Sequence, residues 1–287
     1  MPAESAKVGV CAQAFFLPTP SGRVFSVHHC PADSAAIRGH VLLAPAFNEE
    51  MNRCRSMVTL QAQAFARLGY GTLVIDPHGT GDSEGEFRDA RWELWLRDLQ
   101  AAYEWLTKHA GGCRAILGIR LGAILASELH RRIASPSVGL ILWQPVPDGK
   151  VHLTQFFRVR MAAQLDRPHL PKETTSSMRQ QLAAGENIEV AGYEVHPDLA
   201  LAIDDARLAA STPAPKTQVA WLENVGGESL EVSPASKKII SDWTAAGVAV
   251  ESLLFKGPAF WQVHERVTAP AMIEQTCAWF EKTVVAP

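Results

Sequence analysis

Long apolar runs are missing from this sequence. No stretch of ~18 consecutive apolar residues is available to cross a membrane as a helix. The start, MPAESAKVGV, has neither the basic stretch nor the long apolar core of a secretion signal. Cysteine is also scarce. The five residues Cys11, Cys30, Cys54, Cys113 and Cys277 are odd in number, scattered and never spaced C-x-x-C. This argues against a disulfide framework or a cysteine zinc site, and it predicts free, mostly buried thiols in a reducing cytoplasm. His28, His29 and His78 offer no metal-ligand spacing. Charge of one sign is lacking too. A formal net charge of −3 gives no electrostatic reason to expect nucleic acid or an anionic membrane as partner. The glycines of Gly79–Gly85 lack the Gly-Lys-Ser/Thr ending of a P-loop. There is no internal repeat, and nothing calls for a cofactor.

What remains is a chain of 287 residues, 47% apolar and 20% charged, which predicts a globular, soluble protein. It opens as a hairpin: Ala12–Phe16 and Arg23–His28 read as strands around the turn Pro18–Gly22. His40–Ala44 is a short apolar strand ending at Pro45. Glu49, Glu50, Arg53 and Arg55 then read as a charged loop, either solvated or pairing with Arg120 or a ligand. Met57–Leu68 has helical spacing and Thr72–Ile75 is a buried strand. The glycine-rich loop Asp76–Gly85 precedes an amphipathic helix marked by Trp92, Trp95, Leu96, Leu99, Ala102, Tyr103 and Leu106. Ala115–Leu117 is a strand, Leu121–Leu129 a helix and Val138–Trp143 a strand.

From about Asp148 to Pro215 the segment is more polar and mostly helical, with Pro168, Pro171 and Pro197 interrupting it. The alternation then resumes: strand Gln218–Leu222, helix Ser236–Ala246, strand Val248–Phe255 and helix Ala269–Lys282. Strands this apolar, alternating with helices, predict an α/β fold with a mostly parallel central sheet flanked by helices. Residues 1–147 and 216–287 form the expected core, and 148–215 a helical cap insertion.

One junction carries the most information. The strand at Ala115–Leu117 runs into Gly118-Ile119-Arg120-Leu121-Gly122, and a small-residue helix follows. This is similar to the nucleophile elbow of α/β-hydrolases, in which two glycines flank a residue on a sharp strand-to-helix turn. Asp76–Gly85 (DPHGTGDSEG) resembles the glycine loop of that superfamily, and His40–Phe47 its oxyanion strand and loop. More narrowly, GIRLG at 118–122, PAFNEEMNRCR at 45–55 and GPAFWQ at 257–262 resemble the second type of exosortase A system-associated hydrolases. That group occurs in bacteria that sort proteins and make exopolysaccharide through the exosortase system.

The resemblance implies a nucleophile, an acid and a histidine in that order. The nucleophile slot holds Arg120, and a guanidinium has no lone pair with which to attack. Arg120 reads either as an anion clamp at a helix N-terminus or as an arginine paired to a local carboxylate. The acid slot offers Glu223, Glu228 and Glu231, with Glu228 the chosen candidate and Leu230 at the aligned position. The histidine slot holds aromatics. His264 comes a few residues late, in the expected first turn of the following helix, and Phe260 and Trp261 either line a pocket or pack in the core. Ser83 reads as structural, and Cys54 has no histidine beside it in sequence. Phe47, Asn48, Leu121 and Trp261 are the expected oxyanion and ligand-binding residues. The functional expectation is a cytoplasmic protein that binds an anionic or acylated small molecule with little or no serine-hydrolase activity. The alternatives are an ester or thioester hydrolase with a relocated catalytic set, and a non-catalytic interaction protein.

Overall fold

The computed structural model describes residues 9–109, 111–164, 173–226 and 231–284. Ten strands and eight α-helices are found among them. An eight-stranded sheet has the order β1 (Val10–Thr19), β2 (Gly22–Pro31), β4 (Tyr70–Ile75), β3 (Gly39–Ala44), β5 (Cys113–Ile119), β6 (Gly139–Trp143), β9 (Gln218–Asn224), β10 (Ala249–Phe255). The β1–β2 hairpin is antiparallel, and β2 runs antiparallel to β4. All pairings from β4 to β10 are parallel. This is the α/β-hydrolase fold.

Side-chain alternation explains why these strands are apolar throughout. Leu42 and Ala44 of β3, Ile116 of β5, and Leu140 and Leu142 of β6 enter one core. There they meet Trp95, Leu96 and Leu99 of α2 (Trp92–Thr107), Ile124 and Leu129 of α3 (Gly122–Ile133), and Ile239 and Trp243 of α7 (Pro234–Ala245). The intervening Val41, Leu43, Leu117, Ile141 and Trp143 enter a second core on the opposite face. That core contains Met57 and Phe65 of α1 (Glu49–Arg67) and Met272, Trp279 and Phe280 of α8 (Pro270–Thr283). A sheet covered on both faces needs apolar residues at every position.

One sequence expectation changes. The charged segment Glu49–Arg55 is not a loop, because α1 begins at Glu49. Met51 and Cys54 are buried on its inner face, and the two glutamates lie in the first turn, where the helix dipole favours acidic groups. The stretch between β6 and β9 is mostly helical, with one addition. Around α4 (Gly149–Gln164), α5 (Thr175–Ala183) and α6 (Pro197–Asp205) it adds a small hairpin, β7 (Ile188–Val190) with β8 (Tyr193–Val195). Leu153, Phe157, Met178, Leu182, Leu199 and Ile203 hold these elements to the larger core. Pro168 and Pro171 lie outside the described residues.

Candidate functional site

The elbow is built as its glycines predict. β5 ends at Ile119 and α3 begins at Gly122. Arg120, between them, has φ +56°, a left-handed conformation that costs a non-glycine residue about 1 kcal/mol. Its backbone is pinned on both sides: its N–H donates to Trp143 O (3.0 Å), and its carbonyl accepts from Val146 N–H (3.3 Å). A Cβ on Gly118 would lie 2.6 Å from Ala123 Cα, and one on Gly122 would strike the carbonyls of Ala44 and Pro45. The oxyanion loop and the elbow are therefore in direct contact, and only glycine permits it.

The side chain at the centre of the elbow is not free. Arg120 Nε donates to Glu50 Oε1 (3.1 Å) and Oε2 (3.3 Å), Nη2 donates to Oε1 (3.1 Å), and Nη1 donates to Gln144 O (3.3 Å). The two side chains are only 12% and 18% exposed. The indole of Trp261 lies over the guanidinium, 5.4 Å from ring centroid to Cζ. Of the two readings of Arg120, the geometry matches the arginine paired to a local carboxylate. It also matches the sharper reading of the charge cluster, in which one of its glutamates reaches Arg120.

Around this pair runs a cleft of about 520 Å³, walled by Phe47, Asn48, Phe156, Trp261 and His152 together with Glu50 and Arg120. A second lobe of about 310 Å³ shares Arg120, His152 and Gln155 and extends to Glu223, Ser233 and Ser236. Beneath the oxyanion loop, Phe47, Asn48, Thr80 and Leu121 enclose a small cavity of about 20 Å³, room for about one oxygen-sized group. The N–H groups of Phe47 and Leu121 make no backbone hydrogen bond among the described residues. Asn48 is 4% exposed, has φ +50°, and leaves both side-chain polar atoms buried without a partner. Arg53 Nε, His152 Nε2 and Trp261 Nε1 are buried and unpartnered as well. Five such atoms, from Asn48, Arg53, His152 and Trp261, gather around this one cleft.

The other expected residues lie as follows. Trp261 both lines the cleft and packs edge-on against Phe260, which is buried against Trp143 and belongs to the core. His264 is exposed on a bend six residues before α8 starts, so it does not begin that helix. It lines the outer cleft, with Nε2 3.4 Å from Arg53 Nη2. Glu228 lies outside the described residues. Glu223 occupies the end of β9 instead, buried, accepting from Trp221 Nε1 (3.1 Å) and Ser233 N–H (2.7 Å). No histidine among the described residues hydrogen-bonds to it.

His152, on α4, was not singled out from the sequence. It is 6% exposed, lines both lobes and packs edge-on against Phe47 at 5.8 Å. Burial lowers its pKa to about 4, against the opposing pull of Glu50, so it is neutral at pH 7. The only signal for it was one histidine among apolar helix positions, which more often means core than site. Neither candidate nucleophile qualifies. Burial, reinforced by Glu50, pushes the Cys54 thiol far above the ordinary thiol range, leaving it unreactive. Ser83 donates to Asp76 O and accepts from Phe25 N–H (2.7 Å), which fixes the glycine loop.

With this geometry in view, comparison with known proteins is direct. The family model for serine aminopeptidase, S33, matches residues 35–204, more than half of the chain. The chain belongs to the serine aminopeptidase S33 family. Est1E from Butyrivibrio proteoclasticus, solved with ferulic acid bound, superimposes with a TM-score of 0.67 at 12% identity, covering 95% of this chain and 100% of that one. A serine hydrolase without a lid from Xanthomonas campestris gives 0.55 at 14% identity, covering 96% of each. The esterase domain of a Rhodothermus marinus protein gives 0.54 at 14% identity, covering 95% and 98%. At these identities the likeness is one of fold. No curated protein matches the chain in sequence. In this esterase-like family member, Arg120 stands at the apex of the turn between β5 and α3.

Proposed function

We propose that this family member binds an acylated small molecule in the cleft beside Arg120 and does not turn it over by acyl-enzyme chemistry. The observation that carries the reading is the elbow itself: its apex is a guanidinium tied to Glu50 and covered by Trp261. Such a group neither attacks a carbonyl nor passes a proton to a histidine. Removing a complete triad costs roughly 10⁶ in turnover and leaves only binding and oxyanion stabilisation. Both of those remain here. Phe47 and Leu121, whose amides make no backbone hydrogen bond among the described residues, line the small cavity that suits a carbonyl oxygen, and Phe47, Phe156 and Trp261 suit an acyl or aryl chain.

An acyl group fits better than a free anion. Arg120 is neutralised by Glu50, and His152 is uncharged, so an anion would have to displace Glu50 before gaining a cation. In this reading the elements from Gly149 to Ala210 form a cap, with α4 as the wall that closes on the ligand. The motifs shared with exosortase A system-associated hydrolases of the second type support a cytoplasmic role in bacteria that sort proteins and build exopolysaccharide.

The test is hydrolysis of short and medium acyl p-nitrophenyl esters and acyl thioesters by wild type, Arg120→Ser and His264→Ala. The expected result is no turnover above blank by wild type, with the same ligands quenching tryptophan fluorescence through Trp261. Turnover by wild type that His264→Ala abolishes would overturn the reading and establish a relocated catalytic set.

A further inference from the structure

We propose that Cys11 and Cys30 are a modification site: together they close a reversible disulfide that staples the outer strand of the sheet. The two residues stand directly opposite each other in the β1–β2 register. Their sulfurs lie 2.7 Å apart, inside ordinary non-bonded contact. Cys11 is exposed, Cys30 is half-buried, and both are free thiols in this state.

The surroundings give the bond something to do. β1 is the edge of the eight-stranded sheet, paired on one side only. Cys11, Ala12, Gln13 and Ala14 are all exposed, so both faces of that half of the strand lack packing. The stretch Val10–Thr19 has no charged residue, and natural edge strands usually carry such charges as protection against pairing with other chains. Only its distal half is anchored. Leu17 is buried in the core, and Phe15 and Leu17 form one wall of a groove of about 620 Å³ whose other wall is Trp105 of α2. A bond between Cys11 and Cys30 fastens the unanchored half.

The chemistry is thiol–disulfide exchange with a low-molecular-weight disulfide as oxidant. The thiolate of exposed Cys11 attacks one sulfur of the oxidant, forming a mixed disulfide and releasing one thiolate. Cys30 then loses its proton and attacks the Cys11 sulfur, releasing the second thiolate. Two electrons pass to the oxidant, which leaves as two thiols carrying the two protons. A small thiol in excess reverses both steps.

The test uses the full chain with oxidised glutathione as the probe. Thiols titrated in denaturant should fall by two from the five present. The intact mass should drop by two hydrogen atoms, and a non-reduced peptide map should join the peptides containing Cys11 and Cys30. Amide exchange in Val10–Ala14 should slow at least about tenfold in the oxidised protein and recover with reductant. Cys11→Ser and Cys30→Ser should each abolish the effect, and Cys277→Ser should leave it intact. Glutathione remaining on Cys11 would overturn the proposal, as would pairing of either residue with another cysteine. A bond that forms without slowing exchange would overturn the staple.

Discussion

Replacing Glu50 by alanine removes the one carboxylate that Arg120 binds among the described residues and leaves a guanidinium that is 12% exposed. Three donor contacts to the carboxylate are lost together, and the remaining bond, to Gln144 O, is a long one at 3.3 Å. Removing one partner of a buried pair costs roughly 3–5 kcal/mol, because the other charge stays desolvated. Glu50 is 18% exposed, so water enters part of the space it vacates and the lower end applies. We expect a loss of about 3 kcal/mol, read by urea denaturation as a shift in midpoint at unchanged slope. In a thermal scan this corresponds to a fall of roughly 5 °C. Replacing both partners by methionine should recover most of the loss, because neither charge is then buried. The same Glu50→Ala substitution should raise affinity for a free carboxylate such as octanoate at least about tenfold, since it uncovers Arg120. Stability of Glu50→Ala within about 0.5 kcal/mol of wild type would refute the view that this pair closes the elbow.

Further outcomes follow from the same structure. Burial depresses the pKa of His28, assisted by His40 and His109, and that of His152, each to about 4. Both are uncharged when folded and titrate near 6.5 when unfolded. The protein should therefore hold its stability above pH 6.5 and lose it as pH falls toward 4, by on the order of 3 kcal/mol per histidine below that point. A flat denaturation profile between pH 7 and 4 would contradict this. Gly122→Ala should cost about 3 kcal/mol or more and shift the denaturation midpoint accordingly, because its methyl meets two backbone carbonyls that cannot move independently of β3. Trp261→Ala should weaken acyl-ligand binding at least about fivefold by calorimetry with little change in fold, since it removes one wall of the cleft and its unpartnered N–H.

The strands and the elbow were legible because each has a local cause. Continuous apolar runs require a sheet covered on both faces, and a Gly-x-x-x-Gly turn between strand and helix requires close backbone approach. The start of α1 was hidden by its charges. Glu49, Glu50, Arg53 and Arg55 mask a helical apolar series that begins at Met51 and continues through Cys54, Met57 and Val58. The β7–β8 hairpin was missed because strands of three residues carry no period, although Ala191-Gly192 at positive φ is a tight-turn signature. His152 could not be found because its role depends on α4 crossing the elbow, a tertiary fact. The Cys11–Cys30 pairing was just out of reach of the turn expected at Pro18–Gly22. A turn centred there sets 11 opposite 29; the two-residue turn Pro20-Ser21 of the structure shifts the register by one and sets 11 opposite 30.

The central claim is that Arg120 replaces a nucleophile and that no other residue has taken over its role. Intact-mass detection of a covalent adduct after treatment with an alkyl fluorophosphonate tests it most directly, with Arg120→Ser run alongside. The account predicts no adduct on the wild-type chain. A stoichiometric adduct on any residue of the wild-type chain would contradict it.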